Sequence, residues 1–317
     1  MPISYFCVLK YLNKLKELES CIICPRECAV NRYTSNAGYC RSNAGYNISS
    51  ICLHHGEEPV ISGKKGICNV FFSGCNLQCL FCQNYQISHR KNRQFQTYTL
   101  EQVTNKIIQF LDQGIESVGF VSPSHYTPHI KAIISRLDQL GYRPVYVYNS
   151  NGYDKAETIK ELEGLIDVYL PDFKYMDPEI ASRYSDAENY PTVARNAILE
   201  MYRQKGSTVV LNNNGQAVTG LIIRHLVLPG QFSDSIRILE WIASELSVSV
   251  CISLMSQYYP TVCVANHREL GRYVTPEEYR KVTESMESLG FYKGWIQDPK
   301  SSGTYRPDFN NDQPFET

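Results

Sequence analysis

No stretch of this 317-residue chain stays apolar for the roughly 20 residues that a bilayer-spanning helix requires, so no membrane partner is expected. Charge of one sign is lacking too. The 31 Lys and Arg against 32 Asp and Glu leave a net −1, which argues against nucleic acid as an obligatory partner and leaves only a local basic patch open. The opening run MPISYFCVLKYLNKLKELES has no uninterrupted apolar core of the signal-peptide kind, because Lys10, Lys14 and Lys16 break it. Repeats and low-complexity segments are absent. A cytoplasmic globular protein is the expectation.

Cysteine, by contrast, is plentiful. In a chain that is not exported, 12 clustered cysteines read as metal ligands in a reducing compartment and not as disulfides. Residues 74–87, GCNLQCLFCQNYQI, carry Cys75, Cys79 and Cys82 at C-x3-C-x2-C spacing, with no fourth cysteine in reach. The missing fourth ligand is informative, since structural zinc closes with four protein ligands and ferredoxin clusters use four cysteines. Three thiolates on a cubane cluster leave one iron open to a small molecule. The bland alternative is three packed thiols, which behave as small hydrophobes. Upstream, Cys21, Cys24, Cys28 and Cys40 form C-x2-C-x3-C-x11-C, with Pro25 and Gly38 bending the chain. Four thiols suit a closed site holding zinc or a second iron–sulfur cluster, and sulfur ligation serves both. Cys7, Cys52, Cys68, Cys251 and Cys263 have no ligand-type spacing.

Along the chain, helical periodicity predicts an amphipathic helix over residues 5–19. His54, His55, Glu57 and Glu58 in HHGEEPVISGKKG read as a solvated lead-in to the first strand. Strands are expected over 67–73, 117–122, 143–149, 166–171, 220–228 and 248–255. Between them fall helices over 129–140, 154–163, 178–187, 191–205 and 233–246, and Thr99-x-x-Gln102 is a capping box opening another. A last helix opened by Thr275 and Pro276 leads to an extended FYKGWIQ, and the tail from Lys300 reads as polar and loosely packed. Six β/α alternations built on apolar runs predict a parallel α/β sheet, open or closed into a barrel. Asn149-Ser150-Asn151-Gly152 and Met255-Ser256-Gln257-Tyr258 close two of those runs with polar groups, where binding residues belong.

With Phe81 just before the last cysteine, CNLQCLFCQNYQIS resembles the signature of the radical S-adenosylmethionine (SAM) superfamily. More narrowly it resembles the branch related to the pyruvate formate-lyase activating enzyme that carries an extra N-terminal cysteine set. The resemblance selects a partial (β/α)6 TIM-type barrel with a small N-terminal cysteine-rich module. The chain would then divide into a metal-binding module over 1–62, a barrel core over 63–300 and a tail over 301–317. It implies a [4Fe–4S] cluster on Cys75, Cys79 and Cys82, with the SAM amine and carboxylate on the open iron. One electron, from a donor such as flavodoxin or ferredoxin, would cleave the sulfonium. The 5′-deoxyadenosyl radical would take a hydrogen atom from a small molecule or a protein, a glycyl-radical enzyme being the named relative's substrate.

The resemblance has a gap after the second strand. Where superfamily members carry Gly-Gly-Glu for the SAM amine, this chain has Ser122-Pro123-Ser124-His125, so Ser122, Ser124, His125 or a backbone carbonyl must serve. Asp172-Phe173-Lys174 resembles the Asp-Leu-Lys of the activating enzymes, implying that Lys174 balances the SAM carboxylate while Asp172 orients it. Arg224 sits where those enzymes use an arginine for that carboxylate, with His225 a weaker cation beside it. The competing reading is a metal-binding or electron-transfer protein without SAM chemistry. The missing Gly-Gly-Glu favours it and the missing fourth cysteine opposes it.

Overall fold

The computed structural model describes residues 14–35, 37–90, 95–303, 306–311 and 313–315. Its frame is one sheet whose strands are β1 (Tyr46–His54), β2 (Ile67–Phe72), β3 (Gln96–Tyr98), β4 (Ser117–Val121), β5 (Val145–Ser150), β6 (Val168–Pro171), β7 (Val210–Leu211), β8 (Ala217–Leu226), β9 (Cys251–Met255) and β10 (Gly294–Ile296). Their spatial order is β10-β9-β8-β6-β5-β4-β2-β1-β3, with β7 on β8. From β2 to β10 the path follows chain order and every pairing on it is parallel. Parallel neighbours need crossovers. These are α1 (Leu100–Asp112), α2 (Thr127–Gln139), α3 (Ala156–Lys160), α4 (Pro178–Ser185), α5 (Tyr190–Lys205), α6 (Phe232–Glu245) and α7 (Pro276–Ser288). The result is the expected partial (β/α)6 barrel, left open between β10 and β3.

The elements form for local reasons. Every residue of β2, β4, β6 and β9 is buried, as a sheet covered on both faces requires. Both halves of the Thr99–Gln102 capping box are made, and Thr275 with Glu278 repeats the device on α7. The high tyrosine content has a structural explanation. Tyr148, Tyr169, Tyr175, Tyr190 and Tyr258 are buried in the core, and their hydroxyls bond to Asp154, Gln204, Ser185, two backbone carbonyls and Leu270 O. Each ring supplies apolar area and each phenol ties down a neighbouring segment.

Several expectations are corrected. The helix over 5–19 falls largely outside the described residues; within them only a 3-10 turn, Lys16–Leu18, is present. β1, for which the sequence predicts no element, pairs antiparallel with β2 along its length, so the expected boundary at 62/63 lies inside a β1–β2 connection. The N-terminal module keeps a small cluster of its own, Leu18, Cys21 and Ile23, against Leu15, Val30 and Ala44. The C-terminal segment is not loose: Phe309 and Phe315 pack on Phe71, and Gln86 bonds to Asp308 Oδ1 and Phe309 N. Among the described residues, no helix is long and apolar enough to cross a membrane.

Candidate functional site

A cavity of about 200 Å³ opens where the parallel strands end. Cys75 follows β2, Ser122 follows β4, and Asn149, Ser150 and Asn151 close β5; Asp172 and Lys174 follow β6, Arg224 lies on β8, and Met255 and Gln257 close β9. Carboxyl ends of barrel strands are where such folds place their chemistry. Gly152 makes the β5 turn possible, because its φ of +78° suits glycine and a Cβ there would run into the Asp172 carbonyl.

Cys75, Cys79 and Cys82 line this cavity together with Phe81, whose ring lies 6.0 Å from that of Tyr258. Each thiol has its own donor. Asn151 Nδ2 reaches Cys75 Sγ at 3.3 Å, Ser185 Oγ reaches Cys79 Sγ at 3.0 Å, and Ser88 Oγ reaches Cys82 Sγ at 3.1 Å. Burial pushes the Cys75 thiol up to about 12 and Cys82 up to about 11, and raises Cys79 as well. Such thiols ionise only where a cation compensates them, and iron bound to thiolate supplies that charge. Three soft donors converging on one cavity, each with a hydrogen-bond partner, fit an iron–sulfur cluster with an open position.

The polar wall opposite is built around Arg224. Its NH1 donates to Glu57 Oε2 at 3.0 Å, while Glu58 Oε1 and Asp172 Oδ1 lie 3.5 and 3.7 Å from its Nε. Burial opposes the guanidinium charge, and the three carboxylates outweigh that and hold its pKa above the ordinary arginine value. The other oxygen of Glu57 accepts from Asn69 Nδ2 at 2.9 Å and Asn149 Nδ2 at 3.2 Å. Lys174 Nζ sits 2.6 Å from Asp172 Oδ2. Burial works against its charge as well, but Asp172 with Cys79 and Cys82 leaves the pKa raised. Formally, Glu57, Glu58 and Asp172 face Lys174 and Arg224, an excess of one negative charge.

Of the sequence-derived candidates, Ser122 lines the cavity with φ at +53°, a rare conformation for serine. Ser124 does not line it; it is buried near the Asp154 carboxyl, to which Tyr148 and Ser150 donate. His125 is absent from this wall as well: its ring bonds to Ser73 O at 3.1 Å and borders the N-terminal cysteines. His225 is no cation, since burial lowers it to about 4 and its Nδ1 is engaged with Phe173 O. Glu57 was read as a solvated residue, yet its side chain is 7% exposed and faces the cavity. Arg224 inside an apolar strand was the available clue, because a buried cation demands a buried partner. Ser88 and Ser185 had no sequence signal.

Cys21, Cys24, Cys28 and Cys40 come together around a second, smaller cavity bordered by Arg32 and His125. Among the described residues, no three His, Cys, Asp or Glu side chains are drawn close enough to hold a single metal ion.

Comparison with known proteins places this geometry. The model of the radical SAM superfamily matches residues 69–242. An uncharacterized protein of Methanocaldococcus jannaschii is 32% identical over 282 residues, covering 85% of this chain and 75% of its own length. A domain of the pyruvate-formate lyase-activating enzyme from Bacteroides vulgatus is 16% identical, covering 54% of this chain and 93% of that one, with a TM-score of 0.38. Streptococcus suis SuiB bound to S-adenosylmethionine is 13% identical, covering 71% and 48%, with a TM-score of 0.47. These structural likenesses add nothing to the functional argument. The family match spans more than half of the chain, with the three-cysteine loop inside it, and the chain belongs to the radical SAM superfamily.

Proposed function

We propose that this protein is a radical SAM enzyme that holds a [4Fe–4S] cluster on Cys75, Cys79 and Cys82 and binds SAM in the cavity beside it. When bound, that pair supplies one-electron chemistry: reductive opening of the sulfonium and hydrogen-atom abstraction from a substrate by the 5′-deoxyadenosyl group. The observation that carries the reading is the juxtaposition of three donor-supplied thiols with a cavity wall that presents the carboxylates of Glu57 and Asp172. SAM carries a sulfonium and an ammonium group, which those carboxylates complement.

Within this reading Glu57 supplies the carboxylate that the Gly-Gly-Glu position lacks. It comes from the loop after β1 and is aimed by Asn69, Asn149 and Arg224. Arg224 then orients Glu57 instead of anchoring the SAM carboxylate, because its guanidinium already faces three acids. Lys174 has Asp172 as its ion-pair partner among the described residues and keeps donors for that carboxylate. Ser122 offers a hydrogen bond from the neighbouring strand end, and Phe81 shields the loop. A donor of the flavodoxin or ferredoxin kind belongs to the reading because the cycle consumes an electron, and glycyl-radical enzymes are the first protein substrates to test.

The N-terminal four cysteines hold a second metal centre, zinc or iron–sulfur, zinc requiring the four side chains to close further than they do here. Its support is their convergence on one cavity in a module whose own apolar cluster is too small to fold unaided. The test is anaerobic reconstitution with iron and sulfide, then reduction with SAM present and assay for 5′-deoxyadenosine. Wild type should form it and Cys75→Ala, Cys79→Ala and Cys82→Ala should not, while a variant lacking all three keeps the N-terminal metal. Fully loaded wild type that yields no 5′-deoxyadenosine would favour an electron carrier.

A further inference from the structure

We infer that the N-terminal cysteine module braces the cluster loop, and that Arg26 and Tyr39 are positioning residues that set the reduction potential of the centre at Cys75, Cys79 and Cys82. The inference rests on the cluster assignment made above and adds a role for the module beyond holding its own metal.

Arg26 stands between Cys24 and Cys28, and Tyr39 directly precedes Cys40, so the two residues belong to opposite ends of the four-cysteine motif. Both reach out of the module to the same place. Arg26 Nε donates to Asn76 O at 2.9 Å and its NH2 donates to Asp186 O at 2.6 Å. The guanidinium lies 3.6 Å from the centre of the Tyr39 ring, and the Tyr39 hydroxyl donates to Asp186 Oδ2 at 2.7 Å. The Tyr39 backbone N–H in turn donates to Cys28 Sγ at 3.2 Å, linking the brace to a thiol of its own module.

The two anchor points are the neighbours of the thiol donors. Asp186 follows Ser185, the residue that donates to Cys79 Sγ. It ends α4 with φ at +53°, a conformation that a non-glycine residue keeps only when surrounding contacts hold it. Asn76 follows Cys75, and its Oδ1 accepts from the same Asn151 amide that reaches Cys75 Sγ. A single planar fork spans two carbonyls on separate segments, a task for which lysine has the wrong geometry. Hydrogen bonds to cluster sulfurs favour the more negative, reduced state and so raise the potential, and partners one layer out fix those donors. Releasing the brace should therefore lower the potential while leaving every iron ligand in place.

The experiment is a potentiometric EPR titration of the anaerobically reconstituted full chain. It compares wild type with Arg26→Ala, Arg26→Lys, Tyr39→Phe, Ser185→Ala and the Arg26→Ala/Ser185→Ala double variant. Arg26→Ala and Ser185→Ala should each move the midpoint to more negative values at unchanged iron content. The expected shift is roughly tenfold in the oxidised-to-reduced equilibrium, about 59 mV for one electron. The double variant should move further than Ser185→Ala but by less than the sum of the two single shifts, since Arg26 shares the Ser185 donor and also steadies Asn151 through Asn76. Arg26→Lys should not restore the wild-type value. Tyr39→Phe should shift in the same sense by less, which keeps the test open if Arg26→Ala does not fold. Additive shifts, an unmoved Ser185→Ala, or wild-type potentials in both brace variants would overturn the inference. A wild-type chain with no EPR-active cluster overturns the cluster assignment instead.

Discussion

The guanidinium of Arg224 meets the carboxylate of Glu57 at 3.0 Å, tying the C-terminal part of β8 to the loop that leads into β2. Both side chains are largely buried, so the pair acts at low effective dielectric and each member depends on the other.

The two partners should fail differently. Glu57→Gln keeps shape and removes charge, and SAM binding to the reconstituted protein should weaken about tenfold, about 1.4 kcal/mol. Arg224→Ala leaves Glu57, Glu58 and Asp172 without their shared cation and should lower folding stability by about 3–5 kcal/mol. Equilibrium SAM binding and urea denaturation separate the outcomes. If Glu57→Gln binds normally while Arg224→Ala folds well and loses SAM, Arg224 anchors the SAM carboxylate after all.

Stability should decline in mild acid because of two imidazoles. Burial pushes His129 down to about 3 and His225 down to about 4, from an ordinary value of 6.5. Below pH 6.5 the unfolded chain takes up protons that the folded chain refuses. Stability is therefore complete above that pH and falls below it by about 1.4 kcal/mol per pH unit for each histidine. Urea denaturation between pH 5 and 7 reads the slope, and His129→Gln should flatten it. An unchanged slope in that variant would refute the assignment.

The two capping boxes should each be measurable. Thr99 Oγ1 accepts from Gln102 N at 3.2 Å, and Thr275 Oγ1 accepts from Glu278 N at 3.2 Å. Thr99→Ala or Thr275→Ala should reduce stability by about 1 kcal/mol, while the serine variants stay close to wild type. Denaturation midpoints decide it; equal losses for serine and alanine would mean the methyl group, not the hydroxyl, matters.

Those caps were legible because a capping box is a four-residue signal. The three-cysteine loop that lines the cavity was legible for the same reason, as were the parallel strands, whose apolar runs need no partner to be recognised. Glu57 was not, since in HHGEEP it is one more charge, and only Arg224, far along the chain, buries it. The β1 strand, YNISSICLH, hid behind its small polar residues, whose antiparallel pairing with β2 is a tertiary fact. Ser124 and Ser122 looked equivalent, two residues apart in a turn. The backbone turns one into the cavity and the other toward Asp154.

The order in which the cavity acquires its walls bears on when it can be filled. Cys75, Cys79 and Cys82 are synthesised early, but Asn151, Ser185 and Gln257, whose carbonyl accepts from Gln83, leave the ribosome much later. Until β9 has joined β8, the cavity lacks the wall that Met255 and Gln257 supply. Any metal that these thiols take up is thus enclosed only once the later part of the chain has folded, and until then the thiols lack the shelter of that wall.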